Sequence, residues 1–207
     1  DGNVRVDSSI TGTASITNED ALAVDGFVDL NAADKTFTIG NAAIATELQI
    51  TAQVVNNGGG TAGIIKAGAG VMELANINNT YTGNTTVSAG TLKIGNTFAL
   101  GAYATALTKV TVASGGTVDF NGVSDATYGY TISGTGVGGN GALVNNGGDI
   151  ATNKAQASNI TLDAGGVTVG TRTWLSPGAN ARLLVVCARS HMHAHMHTCT
   201  HTHTHTH

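Results

Sequence analysis

The sequence predicts an all-β chain wound as a right-handed parallel β-helix, and three observations carry that expectation. Glycines that open a strand pattern recur at Gly70, Gly90, Gly116, Gly141 and Gly166, at intervals of 20, 26, 25 and 25 residues. After them come VMEL, TLKI, TVDF, ALVN and VTV, and most follow a second strand pattern: TTVS, KVTV, YTIS or NITL. Composition is the third: charged residues are 11%, aromatics 4% and apolar residues 41%, with 29 glycines. Thr, Asn, Ser and Gly thus supply the polar face of a chain that still has a core to bury. So short a unit cannot close a core alone and must stack on its neighbours. No helical period separates the strands, which excludes βαβ units and leucine-rich repeats, and a β-propeller needs about 40 residues per blade. What remains is a solenoid of the pectin-lyase-like kind, one coil per unit. Val, Leu, Ile and Ala point inward, stacked Asn and Thr form hydrogen-bonded ladders at the turns, and glycines serve where the chain bends with φ > 0.

Along the chain, residues 1–62 carry this pattern weakly, as N-terminal coils. Strand patterns fall at 9–16, 21–30, 36–39 and 48–55, separated by Asp, Asn and Gly. The stretch 41–47, NAAIATE, predicts one or two helical turns, and Asn56-Asn57-Gly58-Gly59-Gly60 predicts a loop. Residues 63–174 hold the regular coils. Their densest part is 65–94, where Val71-Met72-Glu73-Leu74 and Thr91-Leu92-Lys93-Ile94 are each entered through a glycine. Between them lie the polar turn Asn78-Asn79-Thr80-Tyr81-Thr82-Gly83 and a β-branched run, Thr85-Thr86-Val87.

Gly-x-Gly-x-x-x-Leu from Gly68, then Asn-Thr-Tyr-Thr-Gly-x-Thr-Thr-Val-x-Ala-Gly-Thr-Leu from Asn79, resembles the passenger-associated transport repeat of bacterial autotransporters, also called the autotransporter-associated β-strand repeat. The similarity continues through Gly95-Asn96-Thr97-Phe98-Ala99-Leu100-Gly101 and Gly115-Gly116-Thr117-Val118-Asp119-Phe120-Asn121-Gly122 to about Trp174. The resemblance implies a structural role for Gly68, Gly70, Asn79, Thr80, Tyr81, Thr82, Gly83, Thr86, Ala89, Gly90 and Leu92. It also implies a passenger domain of type V secretion, at the cell surface or outside the cell in association with the outer membrane, exported through a C-terminal translocator barrel. Such a barrel needs a series of amphipathic strands of about ten residues. The sequence shows none, so this chain is expected neither to carry the barrel nor to translocate itself. The rival readings are an adhesin module gripping a glycan or host protein and, third, a β-helical polysaccharide lyase or hydrolase.

Charge narrows the partners. Up to Trp174, seven Lys and Arg face all 13 acids, without a basic cluster, which argues against nucleic acid and anionic membrane surfaces. No run of about 18 apolar residues predicts membrane insertion, and Asp1-Gly2-Asn3 does not read as a signal peptide. Both cysteines, Cys187 and Cys199, lie in the segment 175–207, so the body needs no disulfide. That segment abandons the repeat and ends in HMHAHMHTCTHTHTHTH, which holds all eight histidines. Alternating imidazoles on an extended strand bind Zn, Ni or Cu adventitiously. The tract reads as a metal site, as a tag or as a translated (CA)n repeat, and the abrupt loss of pattern favours the last, a disordered tail. Neither cofactor nor biological metal site is expected.

Four remaining features have bland readings. Gly134-Thr135-Gly136-Val137-Gly138-Gly139 fits G-x-G-x-x-G, but no helix pattern follows to receive a phosphate, so a loop between coils is expected. Sugar-cleaving chemistry needs paired carboxylates or clustered acids. Glu73, Asp119, Asp125, Asp149 and Asp163 are scattered singly, with Glu73 and Asp119 expected as solvated strand residues, and the chain is expected not to be an enzyme. Tyr81, Tyr103, Tyr128 and Tyr130 form a carbohydrate-stacking surface or pack beside their turns. The sequons at Asn78, Asn84 and Asn159 are what an Asn/Thr-rich chain produces by chance.

Overall fold

The computed structural model describes residues 2–17, 26–102, 109–123, 128–148, 159–163, 166–170 and 185–186. They form parallel strands wound coil upon coil. The first coil contributes β1 (Val4–Val6), β2 (Ala14–Ile16) and β3 (Phe27–Asp29); the second contributes β4 (Lys35–Ile39), β5 (Leu48–Ile50) and β6 (Gln53–Val55). The next coils contribute two strands each: β7 (Ile64–Ala67) and β8 (Val71–Leu74), β9 (Thr85–Val87) and β10 (Gly90–Ile94), β11 (Val110–Val112) and β12 (Gly116–Asp119), β13 (Gly129–Ile132) and β14 (Leu143–Val144). Beyond them lie β15 (Asn159–Leu162) and β16 (Val185–Val186).

One sheet stacks in the order β1-β4-β7-β9-β11-β13-β15-β16, a second stacks β2, β5, β8, β10, β12 and β14, and β3 pairs with β6 in a third. Every pairing is parallel. This is the architecture of a parallel β-helix, as the period predicts.

Register shows why the alternation works. One row of the first sheet runs Val4, Phe37, Lys66, Val87, Val112, Ile132, Leu162. An inward row of the second runs Ala14, Leu48, Met72, Leu92, Val118, Leu143. Successive side chains of a strand point to opposite faces, so these rows fill the coil interior while the residues between them face out. Thr36, Ile65, Thr86, Thr111, Thr131 and Thr161 form one such outward row. Most of the inward positions are fully buried, each apolar one contributing roughly 1.5–3 kcal/mol. Phe120 and Tyr130 add an edge-to-face contact at 5.4 Å.

Three local expectations need correcting. The pattern at 48–55 is two strands, because Thr51 and Ala52 turn the corner by donating both backbone N–H groups to Ile16 O. Residues 41–47 form no helix: Ala42 N bonds Glu47 Oε1, Ala43 N bonds Asn41 Oδ1, and Ala43 has φ 58°, so side chains take the bonds a helix would use. Finally, β1 is a strand that sequence patterning missed. Among the described residues the third sheet has two strands; in the next coil Thr80 and Tyr81 still donate to Val54 O, but the chain there forms no strand.

Candidate functional site

The repeat motif spans the third and fourth coils, and its residues act across coils. Gly68 and Gly90 have φ of 76° and 68°, and a Cβ at either would overlap the backbone of the coil beneath: Ile39 O for Gly68, Gly68 O for Gly90. Gly70 and Gly83 have ordinary φ, contrary to the expectation that the glycines serve bending alone. There a Cβ would strike Gly40 O and Thr61 O, so close approach of neighbouring coils requires glycine.

Asn79 is buried and ties three coils. Its Oδ1 accepts from Val54 N at 2.8 Å and its Nδ2 donates to Ala99 O at 2.6 Å. Tyr81 is wholly buried, with its hydroxyl 2.7 Å from Thr85 Oγ1. Leu92 is core, and Thr86 stands on the outward threonine row. Thr80 and Thr82 are exposed; Thr80 acts through its backbone, while Thr82 accepts from Asn56 Nδ2 and donates to Gly60 O. The amides therefore bond neighbouring backbone and hydroxyls rather than ladders of like side chains.

Sequence reasoning missed two lysines. Lys66 occupies an inward position between Phe37 and Val87, fully buried, and its Nζ donates to Ala67 O (3.2 Å), Gly68 O (2.8 Å) and Ala89 O (2.9 Å). It joins the turn of its own coil to that of the next, and gives Ala89 its role. Lys109, also buried, donates to Tyr81 O (3.3 Å) and Gly83 O, with Nζ 4.8 Å over the Tyr81 ring. Burial pushes Lys66 down to about 8, with the Glu47 charge pulling the other way, and burial alone takes Lys109 to about 8. The signature turns of the repeat are thus held from inside by ammonium groups on carbonyl oxygens.

The remaining candidates fall out as follows. Tyr81, Tyr128 and Tyr130 are buried, which removes them from any carbohydrate-stacking surface, and Tyr103 lies outside the described residues. Glu73 and Asp119 are not solvated as expected: both are buried, on one outward row in the order Gln49, Glu73, Lys93, Asp119. Glu73 Oε2 faces Gln49 Nε2 at 3.3 Å and Lys93 Nζ at 3.5 Å. Asp119 accepts from Asn121 N, Asn146 N and Asn146 Nδ2, all at 2.9 Å. The two carboxylates stand on alternate coils with a lysine between them, each spent on structure. The pattern Asp119-Phe120-Asn121 repeats Asp29-Leu30-Asn31, where Asp29 Oδ1 takes Asn31 N and Asn57 N, and Asn31 and Asn121 both have positive φ. That Asp-apolar-Asn signal was present in the sequence. Asp125, Asp149 and the histidine tract lie outside the described residues. Among the described residues no group of His, Cys, Asp and Glu is placed to hold a metal, and no helix is long and apolar enough to cross a membrane.

The family comparison meets this geometry at the repeat itself. Residues 64–94 match the passenger-associated-transport-repeat family. The chain is similar to the adhesin BmaC autotransporter of Brucella suis biovar 1 (strain 1330), 36% identical over 166 residues, which is 76% of this chain and 4% of that protein. The chain therefore spans a small part of the length of the curated relative it matches. No solved structure matches it. With its β-helical coils and cross-coil ties, the chain carries a passenger-associated transport repeat at 64–94 and is similar to a segment of an autotransporter adhesin.

Proposed function

We propose that this segment is a surface-displayed scaffold whose coils lock on to one another as the chain emerges, supporting its export through a translocator barrel. The observation that carries the reading is the cross-coil bonding of the repeat. Asn79, Lys66 and Lys109 each satisfy buried backbone groups of a different coil, so each new coil completes the polar bonding of the one before it. A solenoid that gains stability coil by coil folds by propagation from a formed end. Folding outside the membrane would then draw the rest of the chain outward.

Display at the cell surface serves adhesion in this reading, which the similarity to an adhesin autotransporter supports. A non-enzymatic role is supported by Glu73 and Asp119, whose oxygens are committed to neighbouring coils rather than turned together on a sugar bond.

The test is to fuse residues 1–207 to a translocator barrel in a Gram-negative host and measure surface display by protease accessibility on intact cells. Asn79→Ala is expected to lower display several-fold, and Thr82→Ala, on an exposed side chain, to leave it unchanged. Full display of Asn79→Ala, together with a lowered melting temperature of the same purified variant, would separate export from coil stability and overturn the proposal.

A further inference from the structure

We propose that the outer face of the second sheet carries a binding groove for a neutral oligosaccharide, walled by the loop between β13 and β14; this rests on the adhesin reading above. The turn between sheets is short in the repeat coil, Gly68, Ala69 and Gly70, but here it expands to residues 133–142, which hold the glycine-rich stretch Gly134–Gly139 and Asn140. Val137–Gly139 makes a single 3-10 turn. The loop then folds back on the coil beneath: Val137 N donates to Thr117 Oγ1 at 2.8 Å, and that hydroxyl donates to Gly141 O at 2.9 Å. Positive φ at Gly136, Gly138, Gly139 and Gly141 lets the chain reverse so tightly. A cavity of about 450 Å³ results, lined by Thr91, Thr117, Val137, Asn140, Val144 and Asn146, with Gly170 at its margin. Its size lies within the range of small-ligand sites, roughly 300–1,000 Å³.

The lining specifies the ligand chemistry. Among the described residues the lining carries no charged side chain, so none of them offers a counter-charge to an acidic glycan or a phosphate. Two amides are fixed by the protein. Asn146 donates from its Nδ2 to Asp119 Oδ2 and Asn140 from its own to Val137 O, which leaves each Oδ1 as an acceptor with no donor among the described residues. The Thr91 hydroxyl has no partner among the described residues. The groove therefore offers held acceptors and one hydroxyl that suit the O–H groups of a sugar, with Val137 and Val144 for the apolar C–H face of a ring. A peptide binding by strand addition needs free backbone N–H and C=O groups. Here β10 and β12 are interior strands of the sheet, and their backbone groups are already paired with neighbours. Because the acceptors are pre-set, binding costs little ordering of the protein.

The test uses the full 207-residue chain and, as probes, cello-, malto- and manno-oligosaccharides, with hyaluronan fragments as the charged control. Binding is read by saturation-transfer NMR and calorimetry. At least one neutral series is expected to bind and hyaluronan not to. Thr91→Tyr, which fills the floor, is expected to abolish binding. Thr91→Val with Asn140→Ala, which removes a hydroxyl and an amide, is expected to weaken it roughly tenfold, with unchanged circular dichroism and melting. Undiminished binding in folded Thr91→Tyr overturns the groove as the site. So does the absence of oligosaccharide binding in a chain that still attaches to host cells or to a host protein, an outcome that leaves the adhesin reading standing. A folded, displayed chain that attaches to neither sugar, protein nor cell overturns both.

Discussion

The first two coils are tied at their turns by carboxylates, and the repeat coils add buried lysines to that device. In the first two, carboxylates collect backbone N–H groups at the turns: Asp29 takes Asn31 N and Asn57 N, Asp34 takes Gly63 N, and Glu47 takes Ala42 N and Val71 N. In the repeat coils the buried lysines collect carbonyls, Lys66 those of Ala67, Gly68 and Ala89, and Lys109 those of Tyr81 and Gly83. A turn between parallel strands leaves either donors or acceptors without a ladder partner, and a buried one costs about 1–3 kcal/mol if left so. The sign of the side chain follows the sign of the orphan. Of the early ties Asp29 and Asp34 are exposed at the rim and Glu47 is buried, whereas both lysines of the repeat coils lie inside.

The contrast predicts a hierarchy of damage. The largest effect belongs to the repeat's close-approach glycines. Gly83→Val drives carbon atoms into Thr61 O and the Ala62–Gly63 peptide and is expected to cost more than about 4 kcal/mol, abolishing a cooperative melt. Gly12, in the first coil, has open space where a Cβ would go, and Gly12→Ala is expected to stay within about 0.5 kcal/mol of the parent. Thermal unfolding followed by circular dichroism reads both, and equal losses would erase the distinction between the two regions.

Next come the ties themselves. Asn79→Ala strands Val54 N and Ala99 O in the interior, at about 2–5 kcal/mol. Asp29→Ala exposes its two N–H groups to water instead and is expected to cost about 0.5–1.5 kcal/mol. Urea titration of the two variants compares them directly. A cost for Asp29→Ala matching that of Asn79→Ala would mean that rim and interior ties are worth the same.

How much of this was legible depended on whether a residue's partner was in its own coil. Strand alternation is local, so the glycine-entered strands 71–74 and 91–94, and the loop nature of Gly134–Gly139, follow from the chain alone. The phase of a strand is less so: in Ile64-Ile65-Lys66-Ala67 either isoleucine fits the inward face, and a lysine argues for the wrong one. Only the stacking of Lys66 on Phe37, with three carbonyls in reach of its Nζ, makes the inward phase the stable one. Asp119 was misread for the same reason, since its partner Asn146 arrives one coil later. The groove is the extreme case, because a loop becomes a wall only where the preceding coil offers Thr117 to receive it.

The smallest expected effect, and the one that isolates the lysines, is a dependence on pH. Burial lowers both ammonium pKa values to about 8, below the 10.5 of an unhindered lysine. Between those limits the unfolded chain binds more protons than the folded one, so stability rises with pH across the window. Put the other way, the contribution of each lysine is greatest above about 10.5 and is lost as pH falls through about 8, where the folded state must carry the buried charge. Within the window a neutral amine still donates two hydrogens, so Lys109 keeps both of its carbonyl bonds and Lys66 two of its three. The melting temperature of the parent is therefore expected to climb modestly from pH 8 to 10.5, against the usual destabilisation of proteins in alkali. In Lys66→Met with Lys109→Met that climb is expected to vanish. The two substitutions remove the titrating groups but keep apolar stems in the coil, so the slope, rather than the absolute stability, is the readout. A parent whose melting temperature only falls over this range would show that burial does not penalise the two ammonium groups in the fold, and would overturn the lowered titration of the two lysines.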